Sequence, residues 1–318
     1  MISILQPLLR RRAERAIARD YPTIRAAVRS AFARPGGGPL RDLAALELSR
    51  TLAERFPERP IRVRRTTREA AEAGAAPYAV VGDSHSSHLV RRGWRDGRWL
   101  LPLHRFCTGA SARGLINPDA AAGAGAKVRA FLELLAAEPY PVLFKFGQVD
   151  IEFIFTFKRL EDDAVAFDEA AFDAFCAETV ERYMAFLAEA TPAPLKPLAR
   201  VAGVFPPALS DAAWRQGYVN AHIADLHGPS ARDLPSRLAR LEIPPLGART
   251  RLHARFNERL YTAARAAGFR AFDTFEVLLD PDGTAARRYL GRAAGANHHL
   301  GYAASREPLV AALWDALA

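Results

Sequence analysis

From Ile2 to about Phe56 apolar side chains recur at spacings of three, four and seven, with Leu5, Leu8, Leu9, Ala16, Ile17, Ile24 and Val28 marking the stripe. That is the period of amphipathic helices, and the Gly-rich stretch Pro35 to Pro39 interrupts it. After the basic run Arg62 to Arg65 and a short Ala/Glu-rich helical segment, the pattern changes. Tyr78 to Val81 is a short apolar run ending at Gly82, which reads as a strand buried on both faces that feeds a turn and then a helix. Similar runs follow at Leu101 to Cys107, Val142 to Phe146, Leu198 to Phe205 and Phe269 to Phe275. Helical patterns occupy Gly125 to Ala137, Phe167 to Glu189, Ala248 to Ala267 and Glu307 to Leu317.

Strands alternating with helices predict βαβ units and a mostly parallel sheet covered on both faces. Residues 1–77 are expected to form an N-terminal helical extension, and residues 78–318 the α/β domain. Pro206 to Leu246 breaks the rhythm; its prolines, Trp214, Tyr218, His222 and His227 suggest an excursion over the sheet's edge that forms part of a substrate wall. Phe146, Phe153, Phe155 and Phe157 alternate partly at strand spacing and read as core rather than as a lipid-binding wall.

Composition changes this picture little. At 318 residues, half of them apolar and a quarter charged, the chain has the balance of a globular enzyme. Its net charge of +9 makes acidic partners worth weighing, but the excess is arginine spread along the chain and no nucleic-acid-binding motif accompanies it. A solvated surface is expected, with no specific nucleic-acid partner. The basic first helix is expected to pack on the main body rather than lie on a membrane. No run reaches the roughly 18 apolar residues of a membrane span. The short apolar opening runs into Arg10, Arg11 and Arg12, unlike a secretory signal, so a cytoplasmic location is expected. Cys107 and Cys176 lack metal-ligand or disulfide spacing and read as buried thiols.

The candidate chemistry starts at Gly82, Asp83, Ser84 and His85. A strand ending there puts Ser84 at the carboxyl edge of the sheet, where open α/β folds bind ligands. Three later segments stand in matching order: Thr108 to Leu115 with Gly109 and Gly114, then Gly147, Gln148, Val149 and Asp150, then Asn297, His298, His299 and Leu300. Together these blocks resemble the SGNH (GDSL-like) hydrolase family from about Tyr78 to Leu317. The resemblance implies a three-layer α/β/α fold, no required cofactor, and hydrolysis or transfer of acyl groups, often acetyl groups on sugars. It puts Ser84 at the nucleophile, His299 at the base and Gly109 at the oxyanion glycine. Acyl transfer needs those roles, since serine must lose its proton to a base and the tetrahedral oxyanion needs aligned donors, here the amides of Ser84 and Gly109.

Two departures matter. Val149 stands where the family's asparagine would donate to the oxyanion, which leaves Gln148 or Asn117 as substitutes. Ala296 stands where the family has the aspartate three residues before the histidine. Its absence leaves a Ser-His dyad, a carboxylate arriving from Asp280 or Asp282, a ring held by Asn297 or a backbone carbonyl, or an inactive site. His298 competes with His299, and the family register favours His299. Arg113 and Arg105 are candidates for an anionic substrate group or for the surface, and Asp83 and Asp150 for a carboxylate pair or, more simply, for caps and loop ties. His85, His88 and His104 lie near the site without metal-ligand spacing, and no metal is expected. The function expected from this is a serine esterase acting on an O-acylated carbohydrate or related metabolite. An acyltransferase using the same site and a non-catalytic binding protein of the same fold are the alternatives.

Overall fold

The computed structural model describes residues 2–19, 21–36, 38–118, 123–219, 232–291 and 294–317. His222 and His227 therefore lie outside the described residues.

Six strands form one sheet: β1 (Ala75–Gly82), β2 (Trp94–Arg95), β3 (Arg98–Phe106), β4 (Val142–Lys145), β5 (Ala199–Ala202) and β6 (Arg270–Phe272). Their order is β2-β3-β1-β4-β5-β6, with every pair parallel except the short edge strand β2 against β3. The chain leaves β1 toward β3 and later returns to its other side at β4, so the sheet's switch point lies between β1 and β4. In such sheets the crevice at the carboxyl ends beside that point takes the ligand.

Alternation along β1 sorts the two layers. Ala75, Ala79 and Val81 face a core shared with α1 (Ile2–Ala18), α2 (Tyr21–Val28), α3 (Gly38–Arg55), α4 (Pro60–Glu72), α5 (Ala124–Ala136) and two long helices that follow β4 and precede β6. Ala76, Tyr78 and Val80 face the opposite core, closed by the C-terminal helix through Leu309, Leu313 and Trp314. The result is an α/β fold with helices on both faces, compatible with three layers. The N-terminal helices share the first core with the sheet, through Ile17, Ile24, Phe32 and Leu52, all fully buried. The first strand also begins at Ala75, inside the stretch expected to be helical extension. Pro77 hid this, since proline is unusual in a central strand.

Beyond α6 (Phe155–Glu161), the helices are α7 (Glu169–Ala190), α8 (Asp211–Arg215), α9 (Leu234–Leu238), α10 (Leu246–Ala266) and α11 (Arg306–Leu317). Two local expectations change. Phe153, Phe155 and Phe157 sit not at strand spacing but in a π-turn, Asp150–Ile154, that runs into α6; Phe153 and Phe155 are buried. The helix expected after Ser84 is a short 3-10 helix, Ser84–Leu89. Its short polar residues bond their own backbone, as when Asp83 Oδ1 accepts from the His85 N–H at 2.8 Å, and this competes with helix propagation.

In the described parts of Pro206 to Leu246, Leu209, Trp214, Leu234 and Leu238 pack on Phe153 and Leu160. Tyr218 from this excursion reaches the loop before α11.

Candidate active site

Two glycines let the loops approach. A Cβ on Gly82 would lie 2.2 Å from the Lys145 carbonyl, so only glycine lets the end of β1 run this close to β4. Gly147 has φ +104°, and a Cβ there would press 2.9 Å from the Phe256 ring of α10. Ser84, Gly109 and Gly147 thus follow the carboxyl ends of β1, β3 and β4, side by side on one edge.

His299 arrives from the loop before α11, and its Nε2 lies 2.8 Å from Ser84 Oγ. Its Nδ1 lies 3.1 Å from Asn297 Oδ1, which also accepts the His299 main-chain N–H at 2.9 Å. A main-chain N–H can only donate, so the Asn297 atom is the oxygen and the His299 proton sits on Nδ1. The Nε2 lone pair then faces the serine hydroxyl, which is the tautomer a base requires. The loop is clamped from behind. Arg91, fully buried, donates to the Tyr302 carbonyl at 2.5 Å and to Ser305 Oγ at 2.9 Å, and Tyr302 Oη donates to the Val90 carbonyl at 2.6 Å.

Histidines pack around this ring. The His85 ring stacks on His299 with centroids 4.5 Å apart and planes 30° apart. Its Nδ1 lies 3.2 Å from Asp83 Oδ1, while its Nε2 is buried with no hydrogen bond formed, the His298 main chain lying close by. His298 turns away from Ser84: its Nδ1 meets Tyr218 Oη at 2.8 Å and its ring meets Phe153 edge-on. Burial holds these rings neutral. His299 is lowered to about 4, opposed by the nearby Asp83 charge, His298 is lowered to about 2, and His85 is lowered well below the ordinary range.

One ring nitrogen each from His85, His298 and His299 lies within 4.8 Å of the others, a juxtaposition that spacing along the chain did not reveal. Among the described residues, these are the ones that could hold a metal ion. A metal needs in-plane lone pairs converging on one point. The near-parallel rings of His85 and His299 direct theirs along separate planes, and His299 Nε2 is already engaged by Ser84.

Beneath the site lies a buried polar layer that the sequence reading missed. Lys145, at the end of β4, is fully buried, donates to Gln148 Oε1 at 3.2 Å and lies 4.3 Å from the Phe205 ring centre. Burial lowers it to about 8, against the pull of Asp83 and Glu152. Burial raises Asp83 to about 6 and Glu152 to about 7. One oxygen of each, Asp83 Oδ2 and Glu152 Oε2, is buried without a partner. The available signal was a lysine inside an otherwise apolar strand, because lysine is almost never fully buried without a reason.

The remaining candidates fall as follows. Gln148 is not free to serve an oxyanion: its amide nitrogen donates to Glu152 Oε1 and the Phe205 carbonyl, and its oxygen accepts from Lys145 and the Phe205 N–H. Asp150 is fully buried and ties the second block in place, accepting the Ala112 and Arg113 N–H groups at 2.7 and 3.1 Å. It holds a loop rather than substrate, and burial raises it to about 6. The Arg113 guanidinium turns to α7, pairing with Glu178 at 2.8 Å and lying 4.5 Å from the Phe175 ring centre, so it is no substrate anchor. Asn117 is exposed beyond the 3-10 turn of that block, its N–H bonding the Gly114 carbonyl. Asp280 accepts the Arg287 N–H and Asp282 caps Thr284, so neither orients His299. Gly109 has φ +61°, and among the described residues no acceptor takes its N–H or that of Ser84.

No helix among the described residues is long and apolar enough to cross a membrane. In comparisons with known proteins, no family model and no curated protein matches this chain.

Proposed function

We propose that this chain is a serine-dependent acyl hydrolase of the SGNH type that forms an acyl-enzyme on Ser84. The observation that carries this reading is Ser84 Oγ at 2.8 Å from a histidine nitrogen whose lone pair is aimed at it by Asn297 on the far side of the ring. In the first step His299 Nε2 takes the hydroxyl proton as Ser84 Oγ bonds the ester carbonyl carbon. The oxyanion meets the N–H groups of Ser84 and Gly109, which have no acceptor among the described residues. The proton passes from His299 to the leaving alcohol, and the same groups then direct water at the acyl-enzyme.

With Val149 in place of a donor, Gln148 saturated and Asn117 exposed, this reading leaves the oxyanion to the main-chain donors. A single missing donor slows such reactions by about 10²–10³-fold, so a modest catalyst is expected. The substrate class in keeping with the block resemblance is a small O-acyl ester of a carbohydrate or related metabolite. The test is intact-mass analysis after incubation with a fluorophosphonate, alongside p-nitrophenyl acetate turnover, in the native chain and in Ser84→Ala. One adduct and turnover in the native chain, both absent from Ser84→Ala, are expected. A native chain that neither reacts nor turns over ester would overturn the reading in favour of a binding protein.

A further inference from the structure

The loop before His299 carries no acid: Ala296 and Asn297 are both exposed and neutral, and Asp280 and Asp282 are engaged in their own turn. Yet when His299 takes the Ser84 proton it becomes a cation in a partly buried place, which an uncompensated site disfavours. A carboxylate does stand behind it. Asp83 is fully buried, its Oδ1 accepts the His85 N–H and Nδ1–H, and its Oδ2 meets nothing. A helix cap alone does not require a buried, half-satisfied carboxylate, since asparagine caps equally well at lower desolvation cost. The His85 ring lies between this carboxylate and the base, stacked on His299 at 4.5 Å. A ring whose N–H is held by an anion is richer in electrons, and its face lies where the positive charge develops.

We infer that Asp83, acting partly through the stacked His85 ring, supplies the negative charge that offsets the His299 cation, in place of a carboxylate in the loop at Ala296. This rests on the acyl-hydrolase reading for its catalytic consequence, though not for the electrostatic coupling itself. Asp83 and His85 are positioning residues, because neither touches the reacting atoms.

The groups facing Asp83 are Lys145 from β4, Asp150 and Glu152 from the turn after β4, Tyr183 from α7, Cys107 after β3, and His299 itself. Burial raises Asp83 to about 6, so its charge is present above that pH and lost as pH falls through it. The native chain should therefore lose kcat/KM for p-nitrophenyl acetate as pH falls through about 6. Asp83→Asn keeps the cap and removes the charge. It should lower kcat at pH 8 on the order of tenfold, leave KM unchanged, and abolish the step near pH 6. A merely structural Asp83 would leave that step where it was. An unchanged kcat, or a step that persists in Asp83→Asn because Asp150 or Glu152 causes it, overturns the inference.

His85→Phe, which retains a stacked ring without the hydrogen bond to Asp83, gives a second route if Asp83→Asn does not fold. It should lower kcat in the same direction, and full activity would count against the relay. Should the native chain show no esterase activity, the acyl-hydrolase reading fails separately, and the coupling is read by NMR. The His299 imidazole resonances should shift through pH 6 in the native chain and not in Asp83→Asn; their failure to shift in the native chain overturns the coupling.

Discussion

Two serine–histidine pairs stand two residues apart on the same turn, and they have the same length. Ser84 Oγ lies 2.8 Å from His299 Nε2, and Ser86 Oγ lies 2.8 Å from His104 Nε2. What differs is the group on the other ring nitrogen. Arg50 Nε donates to His104 Nδ1 at 3.3 Å, so the His104 proton must sit on Nε2 and point at Ser86. Ser86 in turn donates to the Asp83 carbonyl at 2.5 Å. Every proton in that chain is committed outward, no lone pair is left to accept one, and Ser86 is fully buried. On His299 an acceptor, Asn297 Oδ1, occupies Nδ1, and the direction of the pair reverses. Distance alone does not make a base; the third group decides whether a histidine takes a proton or gives one.

The largest effect expected is the contrast between the two serines. Ser84→Ala should lower ester turnover by roughly 10³-fold or more and end fluorophosphonate labelling. Ser86→Ala should label as the native chain does but lose about 1–3 kcal/mol of stability in urea, because the His104 N–H loses its acceptor in a buried site, while the Asp83 carbonyl keeps the main-chain N–H of residue 86. A folded Ser86→Ala chain that no longer labels would break the comparison.

Next comes the group that sets the direction. Asn297→Ala frees the His299 ring to adopt the wrong tautomer, and kcat should fall roughly tenfold to a hundredfold with little change in stability. Asn297→Asp puts a charge on the same nitrogen. On the acyl-hydrolase reading a protonated His299 cannot accept the Ser84 proton, and its pKa, now lowered to about 4, would rise, so the pH at which it is lost as a base should move upward while kcat at neutral pH increases. An unchanged profile would mean that Asn297 does not hold the working ring.

How much of this was legible can be judged residue by residue. The edge location of Ser84, Gly109 and Gly147 followed from apolar runs ending in glycine or polar blocks, because burial on both faces leaves a plain trace in sequence; that of His299 came from its place before the last helix and from the block resemblance. Asn297, two residues from His299, was visible as one alternative. The fate of Arg113 and Gln148 was not, since their partners are Glu178 and Phe205, 65 and 57 residues away, and periodicity reports burial without reporting who meets whom. The phenylalanines after Gly147 were read as core, in keeping with the burial of Phe153 and Phe155, but their partial alternation did not disclose the π-turn, because a short apolar run at mixed spacing fits a strand or a π-turn equally well. Nothing in the local pattern separated His104 from His299 as proton donor and acceptor, because Arg50 comes from α3, 54 residues before His104.

The two pairs should resemble each other in one respect, the pH dependence of stability. His85, His88, His104, His253, His298 and His299 are all held below their ordinary range by burial, whereas Asp83, Asp150 and Glu152 are held above theirs. Below about pH 6.5 the unfolded chain gains protons on histidines that stay neutral in the fold, which destabilises the fold as pH falls. The three carboxylates act oppositely, since the fold binds their protons more readily. Six rings outweigh three carboxylates, so the urea midpoint should fall between pH 6.5 and pH 5. His104→Gln should flatten that slope by about one proton, or about 1.4 kcal/mol per pH unit, without changing the pH profile of turnover. A midpoint that rises toward pH 5 would contradict the neutral, buried state of these rings.

The smallest effect is expected where the block pattern suggested the greatest gain. Restoring an aspartate at the position three before the histidine, Ala296→Asp, looks from sequence like the repair of a triad. In the structure Ala296 is exposed and His299 Nδ1 already has its acceptor in Asn297 Oδ1 at 3.1 Å. A new carboxylate in that loop would be screened by water and would have to displace Asn297 before it could orient the ring, and exposed charge pairs contribute only about 0–1 kcal/mol. The kcat of Ala296→Asp should therefore stay within about threefold of the native value, and Asp280→Ala and Asp282→Ala should leave turnover unchanged. A tenfold or greater rise in Ala296→Asp would mean that the loop can shift by one residue and let position 296 take the ring. In that case the contrast between the two pairs would rest on a choice of loop register rather than on Asn297 itself.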